Sequence, residues 1–319
     1  MLTPDKKFAI GLSPLNYYHN DLEAFDSFCK RNNYRIDHWY SSLPCAWKRK
    51  EIKYDSLKEQ KKNLKKQLII INANNQKLQL AINADIPSPF IKILYYVEIL
   101  LYKIFYEKYK KVDSLVASDE YIPFLRKVFP GVPISYSVQN IYSQTHLKNL
   151  KYCDTIVIGR KYLKNLKFME EIKKKYSIKI ELLLNCACNF ACDYHCFNGS
   201  CKKSQAQQIE KNGLEKCVAW QSLFPSELKL YPEGLIDLYK LSTRPSTLEW
   251  MEEEMDLYSS NKSLSELDFN YHKPFFWKAI CCTKSISSVF DEKIPCLDEV
   301  LLIKSQLWSH LLGKEIHVY

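Results

Sequence analysis

The sequence predicts an α/β protein: a closed (β/α)8 barrel of the TIM type with an irregular, cysteine-containing C-terminal cap. Three observations predict it. Eight short apolar runs of strand length recur between residues 8 and 241, each trailed by a helical pattern or a long loop. Only seven glycines occur in 319 residues, and no glycine-rich phosphate loop follows the first run, which disfavours an open doubly wound sheet. No internal repeat or low-complexity linker breaks the alternation before about residue 260.

The elements follow in order. Phe8 to Leu12 reads as a first strand, and Asp21 to Arg31 as a helix with Leu22, Phe25 and Phe28 on one face. Tyr34 to Trp39 is a second strand and Tyr54 to Gln67 a charged helix. Lys77 to Asn83 is a third strand, leading through Asp85 and Pro87 into a long helix from Pro89 to Lys111. Asp113 to Ser118 and Glu120 to Val128 form the fourth pair, Pro133 to Val138 and Ser143 to Leu150 the fifth. Asp154 to Ile158 precedes the helical run Leu163 to Tyr176. The seventh strand is the apolar run Ile178 to Leu184, and the eighth, Leu235 to Leu241, precedes a helix from Ser246 to Ser259. Residues 1–260 are thus expected to form the barrel. Residues 261–319 form the cap, ending in a strand and a short helix around Glu299 to Leu312.

Composition narrows the function classes. At 46% hydrophobic residues the chain can bury a large core. The most apolar long stretch, Ile91 to Tyr109, is broken by Lys92, Glu98, Lys103 and Glu107, which reads as an amphipathic helix and not a membrane span. The N-terminus lacks the apolar core of a signal peptide, so a cytoplasmic protein is expected. Twelve cysteines in such a compartment bind metal or stay free. The net charge of +10 is mostly lysine on helix faces; attraction to nucleic acid is the alternative to simple solvation.

The densest chemistry lies in Glu181-Leu-Leu-Leu-Asn-Cys186-Ala-Cys188-Asn-Phe-Ala-Cys192-Asp-Tyr-His195-Cys196-Phe-Asn-Gly-Ser-Cys201. Five cysteines fall within sixteen residues, three of them four apart, at the end of a buried strand. Thiolates on one short loop can close round a soft metal or cluster at little loop-closure cost. Inert buried thiols and disulfides are the alternatives. Barrel sites gather where strands end. That marks Asp119 after strand four, Asn140 after strand five, Arg160 after strand six and Arg244 after strand eight as candidate catalytic residues. The two arginines would suit a carboxylate or phosphate. Asp119, preceding a helix, can equally be a cap.

The segment Ile180 to His195 resembles the strand–Asn–x–x–Cys–x3–Cys segment of the collagenase-like peptidase family U32. Cys217-Val-Ala-Trp220, running into Phe224-Pro-Ser-Glu-Leu-Lys-Leu-Tyr231, is similar to a later cysteine and helix of that family's short-barrel branch. So is Gly234 to Trp250, with its Lys240-Leu-Ser-Thr-Arg244, to the branch's last strand and helix. The resemblance spans roughly Phe8 to Ser259. It implies a barrel with a [4Fe-4S] cluster and, from the branch's RNA- and ubiquinone-hydroxylation members, an oxygen-independent hydroxylase. A second barrel of the same family is the implied partner, and a small molecule or RNA the substrate. It places metal ligands at Cys188, Cys192 and Cys217, with Cys196 as fourth; Cys201, Cys45 and Cys186 compete for that place. Asp193 and Thr243 depart from the family's Pro and Gly. Its peptidase signature is not evident, so proteolysis is not expected.

Four thiolates suit zinc or an iron–sulfur cluster. Zinc is the alternative cofactor, but its usual CxxC knuckles are absent from the chain. The missing CxxC also argues against a radical S-adenosylmethionine enzyme. Besides the hydroxylase, two further functions fit: a non-catalytic accessory barrel with a structural metal, and an RNA-associated modification factor.

Overall fold

The computed structural model describes residues 6–12, 19–43, 54–83, 89–137, 147, 149–158, 162–184, 223–241, 248–260 and 297–318. Eight parallel strands close on themselves in sequence order. They are β1 (Lys7–Leu12), β2 (Arg35–Ser42), β3 (Leu78–Ile82), β4 (Ser114–Ala117), β5 (Ile134–Ser137), β6 (Thr155–Ile158), β7 (Lys179–Leu183) and β8 (Leu238–Leu241). Closure is made by β1 against β8, with Phe8, Ala9 and Ile10 in register with Tyr239, Lys240 and Leu241. The helices are α1 (His19–Arg31), α2 (Tyr54–Ala73), α3 (Pro89–Phe105), α4 (Ile122–Val128), α5 (Leu166–Tyr176), α6 (Leu248–Ser260) and α7 (Leu297–Leu312).

The strand alternation sorts side chains to two sides of the wall. Phe8, Ile10, Leu80, Ile82, Ile180 and Leu182 turn outward into one continuous core with the helices. The helical side supplies its apolar stripes at helical spacing, such as Leu22, Phe25 and Cys29 of α1 and Tyr95, Ile99 and Tyr102 of α3. Inside the wall a second apolar cluster, Ala81, Val116, Val157 and Leu183, fills part of the bore.

An aspartate before each of three alternate strands registers the barrel's amino rim. Asp113, Asp154 and Asp237 immediately precede β4, β6 and β8. Their carboxylates accept the backbone N–H of Leu78 (2.7 Å), Ile134 (2.9 Å) and Ile180 (2.8 Å) in β3, β5 and β7. Each also pairs with a nearby cation: Lys110 at 2.9 Å, Arg126 at 3.3 Å and Lys173 at 2.6 Å. This use of the side chain explains why β4 and β6 begin one residue after the aspartate expected to start them.

Other boundaries moved for local reasons. α2 runs past Gln67 to Ala73, because Leu68 and Ile71 bury completely against the wall, and packing overrides the weak helix preference of the β-branched run. α5 starts at Leu166, where the Asn165 side chain accepts from the Phe168 N–H at 3.1 Å. The tail's helix is sixteen residues long, and no strand occurs among the described residues of the cap. Residues 261–296, including most of the expected cap, lie outside the described residues. No helix among the described residues is long and apolar enough to cross a membrane.

Candidate functional site

The strand ends define a carboxyl rim. Asn83, just past β3, donates from Nδ2 to Ser137 Oγ at the end of β5 (3.3 Å). Ser118, just past β4, keeps its buried hydroxyl without a partner among the described residues. Asp119 follows it. Its Oδ1 accepts from the Tyr136 hydroxyl (3.0 Å) and the Asn149 backbone N–H (3.1 Å), and its Oδ2 accepts from Asn149 Nδ2 (2.9 Å). Those bonds tie the exit of β4 to β5 and to the turn before β6. Beside this carboxylate the Tyr136 phenol is pushed up, first by burial and then by Asp119.

Asn140, Arg160, Arg244 and the cysteines at 188, 192, 196 and 217 lie outside the described residues, as do Cys45, Cys186 and Cys201. β7 ends at Leu183 and the chain leaves the rim at buried Leu184. Among the described residues no group of His, Cys, Asp and Glu forms a metal site. The two described thiols have a different character. Cys29 and Cys153 are each pushed up to about 12, chiefly by burial, so both stay protonated near neutral pH.

Sequence reasoning missed the polar centre of the bore. Lys240 of β8 donates to Glu181 Oε1 of β7 (2.8 Å) and to Gln79 Oε1 of β3 (3.0 Å). Gln79 Nε2 continues to Ser135 Oγ of β5 (3.1 Å). β8 and β3 are not neighbours, so the lysine must cross the lumen to make these bonds. Its ammonium stands 4.0 Å from the centre of the Tyr40 ring, whose hydroxyl donates to the Leu241 carbonyl at 2.9 Å. Glu181 is wholly buried, and its Oε2 has no partner among the described residues. Ala81 and Leu183 stand two residues nearer the carboxyl rim than Gln79 and Glu181, within the apolar cluster of the bore. The signal was present: a charge flanked on both sides by apolar or aromatic residues in each of two strands, Ile180-Glu181-Leu182 and Tyr239-Lys240-Leu241.

A cleft of about 410 Å³ opens at the opposite face, beside the amino ends of β1 and β2, between Lys7, Asp26, Arg35, Asp37, His38 and Lys77. The Asp37 carboxyl is held below its usual range, first by its hydrogen bond from His38 (2.9 Å). In (β/α)8 barrels that face serves stability, and chemistry collects at the carboxyl rim.

No family model matches the chain, and no curated protein matches it. Solved structures do. Tryptophan synthase from M. tuberculosis, in its aminoacrylate- and BRD0059-bound form, is 7% identical with a TM-score of 0.43, covering 82% of this chain and 94% of that one. The U32 peptidase Mk0906 is 10% identical with a TM-score of 0.43, covering 76% and 93%. Haloferax volcanii malate synthase, in its magnesium/glyoxylate complex, is 10% identical with a TM-score of 0.45, covering 96% of both chains. At such identities and scores the likeness concerns the barrel fold and carries nothing about substrate or cofactor.

Proposed function

We propose that this chain is a barrel enzyme of the U32-like type that works at its carboxyl rim with a [4Fe-4S] cluster, catalysing an oxygen-independent hydroxylation or a related modification. One positional observation carries the reading. The cysteine-rich segment follows β7 directly: Cys186 is two residues beyond Leu184, a reach of about 7 Å at most along the chain. A group held there would sit beside the rim where barrel chemistry gathers.

The donor set fits a cluster. Cys188, Cys192, Cys196 and Cys217 would hold it, and zinc would use the same four thiolates. Bound, a cluster supplies single-electron transfer. The chain's own residues do the rest. Arg160 and Arg244, which follow β6 and β8, would hold an acidic group of the substrate, each offering a planar fork of donors. Asn140 would orient it from the exit of β5. Asp119 acts as a positioning residue, because its carboxylate already accepts from Tyr136 and Asn149. The polar bore fixes β3, β7 and β8 to one another beneath the rim.

Anaerobic purification with an ultraviolet–visible spectrum and iron, sulfide and zinc counts tests the reading. A brown protein whose colour bleaches on reduction is expected, and Cys188→Ala, Cys192→Ala or Cys217→Ala should each lose most bound iron. Cys29→Ala and Cys153→Ala should keep it, since Cys29 lies in α1 and Cys153 just ahead of β6, in ordinary helix and strand segments of the barrel, and both thiols stay protonated near neutral pH. Colourless protein with stoichiometric zinc, or with no metal, overturns the cluster.

A further inference from the structure

α3 is apolar on both sides. Its inner face, Tyr95, Ile99 and Tyr102, belongs to the barrel core. Its outer face exposes Phe90, Ile93, Val97, Leu100, Ile104 and Phe105, each between 41% and 68% accessible. Five of these six fall at positions 90, 93, 97, 100 and 104, the alternating three- and four-residue steps of a helix–helix seam. A helix that is hydrophobic all round is normally buried on all sides. Taking about 200 Å² for a large apolar side chain, the six offer roughly 650 Å². That exceeds the roughly 300–600 Å² of the largest patch on a typical monomer. It approaches the roughly 800 Å² that each partner contributes to a stable interface.

The spacing identifies the occupant. The steps 93–97–100–104 read the same from either end. An antiparallel second copy would therefore set Val97 against Leu100 and Ile93 against Ile104, and the same pairs again across the two-fold axis. Such self-complementarity is what an isologous dimer requires. An anionic membrane surface fits less well. Both lysines of α3 are engaged with their own barrel, Lys92 with Glu120 and Lys103 with the Val128 carbonyl, and Glu98 flanks the stripe. A surface-lying helix instead turns its lysines outward to lipid headgroups.

We propose that the outer face of α3 is a homodimer interface, in which α3 packs antiparallel against α3 of a second copy of this chain. The proposal stands independently of the cluster.

Sedimentation velocity of the full chain at micromolar concentration tests it. The expected result is twice the mass of one chain. Ile93→Glu combined with Leu100→Glu should raise the dimer dissociation constant by at least about 100-fold by burying unpaired charge in the seam. Circular dichroism should show an unchanged fold, since both positions are exposed. Ile93→Lys alone and Ile104→Glu alone should each be monomeric. Mixing the two should restore a dimer, because the introduced ammonium of one variant then faces the introduced carboxylate of the other across the seam. A monomeric wild-type chain overturns the proposal, as does a double-glutamate variant that stays dimeric. So does a mixture that does not associate, or a monomer that instead floats with vesicles rich in anionic lipid.

Discussion

Lys304 of α7 and Glu227, in the 3-10 turn Pro225–Leu230 ahead of β8, meet at 2.6 Å across 77 positions of sequence, with both side chains wholly excluded from water. Glu227 also receives Lys164 at 3.2 Å, the Trp308 indole N–H at 2.7 Å and the Phe224 backbone N–H at 2.6 Å. Burial alone would raise its pKa, but the two lysines hold it below the usual carboxylate range. One carboxylate thus gathers two cations and anchors the C-terminal helix to the side of the barrel.

Removing that carboxylate should be among the most damaging single changes in the chain. Glu227→Leu leaves Lys164 and Lys304 buried without a counter-charge, and the indole N–H without its acceptor. A loss of about 3–5 kcal/mol is expected, the range for breaking a buried pair from one side. Urea denaturation reads the loss. Hydrogen exchange should show α7 losing protection before the strands do.

The same cluster should make stability depend on pH in an unusual direction. Burial pushes the Lys304 ammonium down to about 7 against the pull of Glu227, with Lys164 adding to the fall. In the unfolded chain the lysine stays protonated to about pH 10.4, so above pH 7 unfolding takes up a proton. Stability should therefore rise with pH from about 7, by at most about 1.4 kcal/mol per pH unit from this group. From about pH 8.5 the thiols of Cys29 and Cys153 act in the opposite sense, because only the unfolded chain ionises them there. Lys304→Met should flatten the slope between pH 7 and 8.5; an equal slope in both proteins would show that the lysine does not titrate in that range.

The bore predicts a double-mutant cycle. Lys240→Met should cost about 3–5 kcal/mol by leaving Glu181 charged and unpaired in the lumen, and Glu181→Leu a similar amount. Together, Lys240→Met and Glu181→Leu should cost much less than the sum, because an apolar pair suits the lumen beside Ala81, Val116, Val157 and Leu183. Additive losses in thermal or chemical unfolding would show that the two side chains are not energetically paired.

The amino-rim aspartates should behave alike. Asp113→Ala, Asp154→Ala and Asp237→Ala each remove an acceptor for a strand N–H together with a partly exposed ion pair. Each should lower stability by about 1–2 kcal/mol. Losses that differ widely among the three would contradict a shared clamp role.

Much of this was legible residue by residue. The alternation of eight apolar runs with helical stretches predicted a closed barrel, and the eight parallel strands close in chain order. The apolar stripe of α1 was visible because helical and strand periods sort side chains by face from local sequence alone. The spacing of the cysteines is likewise written in the sequence, and so are the charges at 181 and 240.

Periodicity assigns a residue to a face, but it does not say which other face that residue meets. Lys240 reads locally as an interruption of an apolar strand; closure and stagger of the barrel carry its ammonium across the lumen to Gln79 and Glu181. Glu227 and Lys304 look like ordinary surface charges in their own segments, until α7 packs on the 3-10 turn and removes both from water. The two faces of α3 are equally apolar in sequence, and only packing on the barrel decides that Tyr95 and Ile99 are covered while Ile93 and Val97 are left exposed. Local chain geometry follows from short-range sterics and hydrophobic period, whereas these partnerships depend on contacts between residues tens to hundreds of positions apart, which exist only once the barrel has closed.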